Sequence, residues 1–267
     1  MAIEALERIL KNVQREAHPL SQESLSSLEM KNKGSSSSFS YNCEKCRDTG
    51  WILEENKNSA PLARSCNCRE INKLRAQWKA AGIDPEKCQQ SFAGFQVWNE
   101  TSKKAKNAAI AFYKDFENIK QNRKNSIMFC GQPGSGKTHL TVALAINLLN
   151  KQTKVVYMPY RDVITKLKQN VLDCEYYKKI IARYQTCEVL LLDDLFKGKL
   201  TETDINLMFE LINYRYLNHL PIIVSTEFTV DKLLSFDEAI GSRIYEMCKD
   251  FIVEIEKARE NNYRLRA

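Results

Sequence analysis

The clearest chemistry in the sequence lies in one glycine-rich segment, Gly131-Gln132-Pro133-Gly134-Ser135-Gly136-Lys137-Thr138. It follows the apolar run SIMFC and precedes THLTVALAINLL, so it joins a predicted strand to a predicted helix. Its glycines allow backbone N–H groups to point inward, and the start of the helix adds a partial positive charge. Lys137 can then reach the β- and γ-phosphates, and the Thr138 hydroxyl can complete a Mg²⁺ shell. The segment predicts a site for ATP or ADP with Mg²⁺.

Two adjacent carboxylates follow about fifty residues later, where the apolar run from Val189 to Leu192 ends in Asp193 and Asp194. A strand end beside the glycine-rich segment would present both side chains to the nucleotide. Asp193 would bind Mg²⁺, directly or through water, and Asp194 would act as general base on the attacking water. The plainer alternative is a solvated strand end. We expect hydrolysis as well as binding, because the pair accompanies an intact phosphate-binding motif.

Four clustered cysteines predict a second chemical centre. Cys43 and Cys46 are separated by two residues, Cys66 and Cys68 by one, and 19 residues lie between the pairs. Four thiolates can close a tetrahedral Zn²⁺ site, which leaves no open coordination position and is therefore structural. The alternative is a set of unrelated buried cysteines. The other five cysteines stand singly in apolar or helical contexts, where core packing is the default.

Elements that could position these residues follow the pattern of an α/β domain. Strands are predicted at Ser126 to Cys130, Lys154 to Met158, Val189 to Leu192, Ile222 to Thr226 and Phe251 to Ile255. Helices are predicted at Thr138 to Leu149, Arg161 to about Arg183, Asp204 to Asn218 and Ser235 to Met247. The alternation of strands and helices predicts a parallel sheet covered by helices on both faces.

The chain before this domain divides into two further parts. Residues 1–40 comprise a predicted amphipathic helix, with an apolar stripe of Ile3, Leu6, Leu10 and Val13, and a Ser-rich linker. Residues 41–90 comprise the cysteine module and a connecting helix, and residues 91–267 the α/β domain. The apolar stripe either docks a partner or packs back onto its own chain.

Composition excludes several classes of protein. The 267 residues contain no apolar run long enough to span a membrane, and acidic and basic residues interrupt the first fourteen, where an export signal would be apolar. We therefore expect a cytoplasmic protein without a membrane partner. Nine cysteines in a reducing compartment favour metal binding over disulfides. The net charge of +7 is compatible with a nucleic-acid partner but does not require one.

Together, these motifs resemble those of the AAA+ ATPases of the replicative helicase loader group, the DnaC and DnaI type, from bacteria or phages. The resemblance covers about residues 41–267 and depends on GQPGSGKT, VLLLDDL, ELINYRYLNHLPIIVSTE, IGSRIYEMC and NNYRLR. It implies an AAA+ domain, here with too few residues after the last strand for a helical lid domain. Loaders related to DnaI also carry an N-terminal zinc module, which agrees with the cysteine cluster.

The resemblance also implies roles for single residues. The strand end Ser225-Thr226-Glu227 takes the sensor 1 place, where loaders often carry a polar Thr-Ser-Asn run, so Glu227 stands where they have Asn. Arg264 is similar to the sensor 2 arginine. Arg243 matches the arginine finger, which acts on the γ-phosphate held by a neighbouring subunit and so ties hydrolysis to self-association. Arg215 is the competing candidate for the finger.

Three functions fit these observations. The first is an ATP-dependent loader that binds the replicative hexameric helicase through its N-terminal region and helps place it on single-stranded DNA. The second is a transposition helper ATPase resembling IstB, which usually lacks the cysteines, and the third is a metabolic P-loop kinase, for which we find no acceptor pocket or lid. The cysteine module favours the loader. Lys197 and Lys199 are candidate DNA contacts, although a solvated loop explains them equally well.

Overall fold

The computed structural model describes residues 41–54, 62–170 and 172–266. Cys43–Ala267 form one compact unit. The predicted N-terminal helix, its stripe of Ile3, Leu6, Leu10 and Val13, and the Ser-rich linker lie outside the described residues, so these remain predictions.

The unit begins with a small cysteine-bearing segment. An antiparallel pair of strands, β1 (Trp51–Glu54) and β2 (Leu62–Ser65), leads into helix α1 (Asn67–Ala80). Trp78, near the end of α1, is 1% exposed, and its indole N–H donates to the carbonyl of Val155 at 3.0 Å. Its ring lies 5.2 Å from that of Tyr157. The end of α1 is therefore packed against the larger sheet.

That larger sheet has five parallel strands in the order β4-β5-β6-β3-β7. Their bounds are β3 (Ile127–Gly131), β4 (Val155–Pro159), β5 (Val189–Leu195), β6 (Ile222–Thr226) and β7 (Ile252–Ile255). The predicted α/β fold with a parallel sheet flanked by helices is confirmed. The carboxyl ends of β3, β5 and β6 lie side by side, which brings the glycine-rich segment, the acidic pair and Glu227 to one edge of the sheet.

Helices connect these strands. They are α2 (Glu100–Ile119), α3 (Lys137–Asn150), α4 (Tyr160–Gln169), α5 (Cys174–Thr186), α6 (Glu202–Leu217), α7 (Val230–Phe236) and α8 (Glu238–Cys248). Short 3₁₀ helices at Arg259–Asn261 and Tyr263–Leu265 follow β7. Capping boxes start two of the long helices, at Asn99 with Ser102 and at Thr201 with Asp204.

Two helix predictions need correction at internal aspartates. The helix predicted from Arg161 to Arg183 is two helices, because α4 ends at Gln169 and Asp173 caps the start of α5 by accepting from the Tyr176 N–H. The helix predicted from Ser235 to Met247 is likewise divided. Asp237 is extended and accepts from the Ile240 N–H, so α8 starts after it. In both cases a capping carboxylate outweighs a continuous apolar pattern.

The core lies on both faces of the sheet. Along β5, Leu190 and Leu192 belong to the cluster under α4, α6 and α8, whereas Val189 and Leu191 belong to the cluster under α2 and α3. A strand that is buried on both faces reads as an unbroken apolar run, and VLLL is such a run.

Arg215 lies in the core and has a structural role. It is 0% exposed, and its Nη1 donates to the carbonyls of Tyr184, Gln185 and Cys187 while its Nη2 donates to that of Pro221. Burial lowers the pKa of its guanidinium. The alternative assignment of Arg215 as an arginine finger is therefore wrong, because a finger must reach a neighbouring subunit.

Replacing Arg215 should destabilise the fold. We expect Arg215→Met to lower the free energy of unfolding by about 3 kcal/mol, because several buried carbonyls lose their donor. Urea denaturation of the full chain measures this, with Lys114→Met on the exposed side of α2 as the control. An unchanged urea midpoint for Arg215→Met would contradict the structural role.

Candidate functional site

The glycine-rich segment forms a loop between β3 and α3. Gly136 directly precedes α3 and has a φ of 84°, in the left-handed region that glycine favours, and a Cβ there would lie 2.7 Å from the Phe95 ring. The Lys137 ammonium donates to the carbonyls of Gly131 (2.9 Å) and Gln132 (2.6 Å), and burial lowers its pKa. The Ser135 hydroxyl also donates to the Gln132 carbonyl. The ammonium is thus held at the mouth of the loop, where phosphate oxygens would replace the carbonyls.

Asp193 is the most constrained carboxylate at this edge of the sheet. Its Oδ1 accepts from the hydroxyls of Thr138 (3.0 Å) and Ser225 (2.6 Å), and its Oδ2 accepts from the Tyr157 hydroxyl (3.2 Å). Burial raises its pKa, against the lowering effect of the Ser225 hydrogen bond. The predicted Mg²⁺ pair, Thr138 and Asp193, is thus in direct contact. Their oxygens are the donors that Mg²⁺ prefers, so the residues present fit this ion.

Asp194 points into a different environment from that of its neighbour. Its backbone has a φ of 55°, and its N–H donates to the Ser225 hydroxyl at 2.9 Å. Its carboxylate pairs with Lys197 at 2.8 Å, and Lys197 also lies 3.4 Å from the Glu227 carboxylate. The two adjacent aspartates therefore differ in position, since Asp193 is buried behind the loop and Asp194 faces the solvent side.

These groups border a cavity of about 390 Å³. Several of the site residues predicted from sequence line this cavity: Pro133, Gly134, Gly136, Lys137, Thr138, Asp194, Glu227 and Arg264. The other lining residues include Phe95, Gln96, Trp98, His139, Lys197 and Tyr263. The cavity combines two lysines with the aromatic side chains of Phe95, Trp98 and Tyr263, an arrangement suited to a phosphate chain attached to a flat base.

The segment after β7 closes one side of this cavity. The Tyr263 N–H donates to the Gly134 carbonyl at 2.9 Å, and the Gln132 side chain accepts from the Ala258 N–H. The Tyr263 hydroxyl donates to the Gln96 side chain at 2.8 Å. This C-terminal segment thus joins the glycine-rich loop to the chain preceding α2, and it places Arg264 at the cavity.

Arg243 does not line the cavity of its own chain. It lies on α8, where its Nε donates to the Asn213 side chain at 3.1 Å and its Nη1 to the Ala239 carbonyl at 2.6 Å. Its guanidinium lies over the rings of Phe209 and Tyr216. Any action of Arg243 on a nucleotide therefore requires a second chain.

Sequence reasoning missed two kinds of site residue. Tyr157 holds Asp193 from β4, and its only signal in the sequence is a position near the end of a strand. Ser225 belongs to the strand end predicted for sensor 1, but its hydrogen bond to Asp193 is not predicted from sequence. The aromatic residues Phe95, Trp98 and Tyr263 come from opposite ends of the domain and meet only in three dimensions. Lys197, for which the sequence predicts either a DNA contact or a solvated loop, lines the nucleotide cavity.

The four predicted cysteines do come together. The sulfurs of Cys43, Cys46, Cys66 and Cys68 all lie within 4.8 Å of one another. The Cys43 and Cys66 sulfurs are 3.7 Å apart, and those of Cys46 and Cys68 are 3.4 Å apart. Zinc–sulfur bonds of about 2.3 Å put the sulfurs of a tetrahedral site about 3.8 Å apart. The cluster therefore fits Zn²⁺.

The surroundings of Cys46 favour a thiolate. Burial opposes its ionisation, but hydrogen bonds from the Cys68 sulfur and the Gly50 N–H outweigh burial and lower its pKa to about 7. Burial and the neighbouring sulfurs instead raise the pKa of Cys68. A Cys46 thiolate is the form in which cysteine binds a metal ion.

Comparison with known proteins identifies the family. The model for the IstB-like ATP binding protein matches residues 33–266. The chain belongs to this family. It is 37% identical to the phage-like element PBSX protein XkdC of Bacillus subtilis, over 99% of this chain and 98% of that protein. The family has an AAA+ P-loop fold and binds ATP.

The chain also resembles a solved helicase loader and an insertion-sequence protein, over different shares of their lengths. The crystal structure of the DnaC helicase loader matches with a TM-score of 0.56 and 25% identity, over 62% of this chain and 97% of that chain. An ATP-binding protein of insertion sequence IS5376 from Geobacillus stearothermophilus is 29% identical over 39% of this chain and 41% of that protein.

Among residues 41–54, 62–170 and 172–266, no helix is long and apolar enough to cross a membrane.

The cysteine cluster predicts one zinc ion per chain. We expect Cys46→Ser to lose this zinc, because a hydroxyl is a poor ligand in a four-thiolate site, whereas Cys174→Ser should keep it, since Cys174 is exposed and outside the cluster. Elemental analysis of protein purified without chelator provides the measurement. Chelation should expose the segment from Cys43 to Ser65 to protease while Trp78 stays buried. Zinc-free wild-type protein would contradict this prediction.

Proposed function

We propose that this protein is an ATP-hydrolysing loader that binds the replicative hexameric helicase and helps place it on single-stranded DNA. The observation that carries the proposal is the match to the DnaC helicase loader, which extends over 97% of that chain. The cysteine cluster supports it further, because it adds to the ATPase domain a module of the kind that the resemblance to DnaI-type loaders implies.

In this proposal the nucleotide site performs hydrolysis. Lys137 and the loop N–H groups bind the β- and γ-phosphates, and Thr138 and Asp193 hold Mg²⁺, which neutralises phosphate charge when bound. Asp194 accepts a proton from the attacking water. Glu227, after β6, and Arg264, in the C-terminal segment, line the same cavity and would border the bound nucleotide.

Arg243 acts between subunits. Its guanidinium lies on α8 near the partly exposed ring of Phe209, outside its own cavity. In a self-associated form it would stabilise the charge that develops on the γ-phosphate of a neighbour. Hydrolysis would then depend on assembly, as a loader requires if it is to act only when bound to its partner.

The second candidate function is that of a transposition helper. The family model itself is described as IstB-like, and an insertion-sequence protein is among the relatives. In that case the partner would be a transposase in place of the helicase.

A binding assay with the full chain tests the proposal. With ATP present, the immobilised protein should retain the host's replicative helicase and not a transposase, and removal of residues 1–30 should abolish this retention without changing ATP affinity. Arg243→Ala should keep both binding events and reduce only the hydrolysis that depends on assembly.

Three results would count against these assignments. A truncated chain that still binds the helicase would show that the N-terminal helix packs on its own protein. Loss of ATP affinity by an isolated Arg243→Ala monomer would place that arginine in its own site. Retention of a transposase in place of the helicase would favour the transposition helper.

A further inference from the structure

Lys197 occupies an unusual place in the nucleotide cavity, between two carboxylates. Its ammonium lies 2.8 Å from Asp194 and 3.4 Å from Glu227. We infer that Lys197 makes the site prefer a nucleoside triphosphate over a diphosphate, by leaving these carboxylates for the terminal phosphate. The inference rests on the proposed function, because it concerns the same ATP site, and it assigns Lys197 as a specificity-determining residue.

The backbone around Lys197 is fixed independently of its side chain. The preceding residue, Phe196, is buried and packs against the rings of Tyr160, Phe228 and Phe236. The Lys197 N–H donates to the Asp194 carbonyl at 3.1 Å. Asp194, Phe196 and Gly198 all have positive φ values, so the chain makes a tight turn here. This turn directs residue 197 toward the cavity.

The Lys197 side chain, unlike its backbone, can exchange its ion-pair partners. It is 50% exposed, and its two ion pairs lie at the edge of the cavity. Exposed ion pairs contribute little to stability, because water and salt screen them. The ammonium can therefore exchange carboxylate oxygens for phosphate oxygens at small cost, whereas the Phe196 anchor keeps the turn in place.

The charges around the cavity explain why such a cation is needed. Asp194 and Glu227 both line it, and an incoming terminal phosphate would bring further negative charge toward them. Lys137 lies at the loop and reaches the β-phosphate as well as the γ-phosphate, so it serves diphosphate and triphosphate alike. Lys197 is near Lys137 but pairs directly with both carboxylates, so it offsets the repulsion that a terminal phosphate meets there.

The test is the ratio of the dissociation constants for ADP and ATP, measured in the full chain with Mg²⁺. We expect Lys197→Ala to weaken ATP binding about tenfold, corresponding to the loss of one charge-assisted hydrogen bond, and to weaken ADP binding less than twofold. Lys199→Ala is the matched control, because Lys199 is exposed two residues further along and does not line the cavity. It should keep the wild-type ratio.

Two further variants separate charge from structure. Lys197→Arg keeps the cation and should keep most of the preference for ATP. Adding Glu227→Gln to Lys197→Ala removes one of the two repelling carboxylates and should restore part of the lost ATP affinity. A lysine that only supported the fold would show no such rescue. Urea midpoints within error of wild type would establish that each variant is folded.

The outcomes distinguish this inference from the proposed function. If the wild-type chain binds neither nucleotide, the proposed ATP site itself is wrong. If wild type prefers ATP and Lys197→Ala keeps that preference, or loses ATP and ADP affinity equally, Lys197 does not determine specificity and the ATP site stands.

Discussion

The candidate site depends on one buried carboxylate, Asp193. Three hydroxyl groups, from Thr138 on α3, Tyr157 on β4 and Ser225 on β6, donate to its two oxygens. A buried carboxylate is costly unless it is hydrogen-bonded, so each donor is needed for stability and also fixes one element against the end of β5. Because Ser225 in addition accepts the Asp194 N–H, the same network sets the backbone from which Asp194 and Lys197 reach the cavity.

The two ends of the Cys43–Ala267 unit are fixed by different means. The cysteine segment is too small for a core of its own, and four converging sulfurs replace that core if they share a Zn²⁺ ion. The C-terminal segment is held by backbone and side-chain hydrogen bonds to Gly134 and Gln96, and so becomes a wall of the cavity. Both parts therefore contact the α/β domain. Trp78 packs against β4, and Tyr263 is hydrogen-bonded to the glycine-rich loop.

Much of the fold and of the candidate site could be predicted from the sequence. The parallel sheet follows from the hydrophobic pattern, and the phosphate-binding loop follows from residues adjacent in sequence. Contact between Thr138 and Asp193 follows from strand ends that share one edge of a sheet. The breaks at Asp173 and Asp237 were missed, because capping competes with periodicity over a single residue. The burial of Arg215 and the position of Lys197 depend on tertiary contacts that no local pattern records.

The most direct test of the account is the Mg²⁺ dependence of ATP affinity in Asp193→Asn, compared with wild type and Asp194→Asn. Asparagine can occupy the same space but lacks the charge that holds the cation, so Mg²⁺ should no longer strengthen ATP binding in Asp193→Asn. Asp194→Asn should retain the Mg²⁺ effect and lose turnover, because its amide cannot accept a proton. If Mg²⁺ strengthens ATP binding equally in Asp193→Asn and wild type, Asp193 is not the metal ligand and the account of the site is wrong.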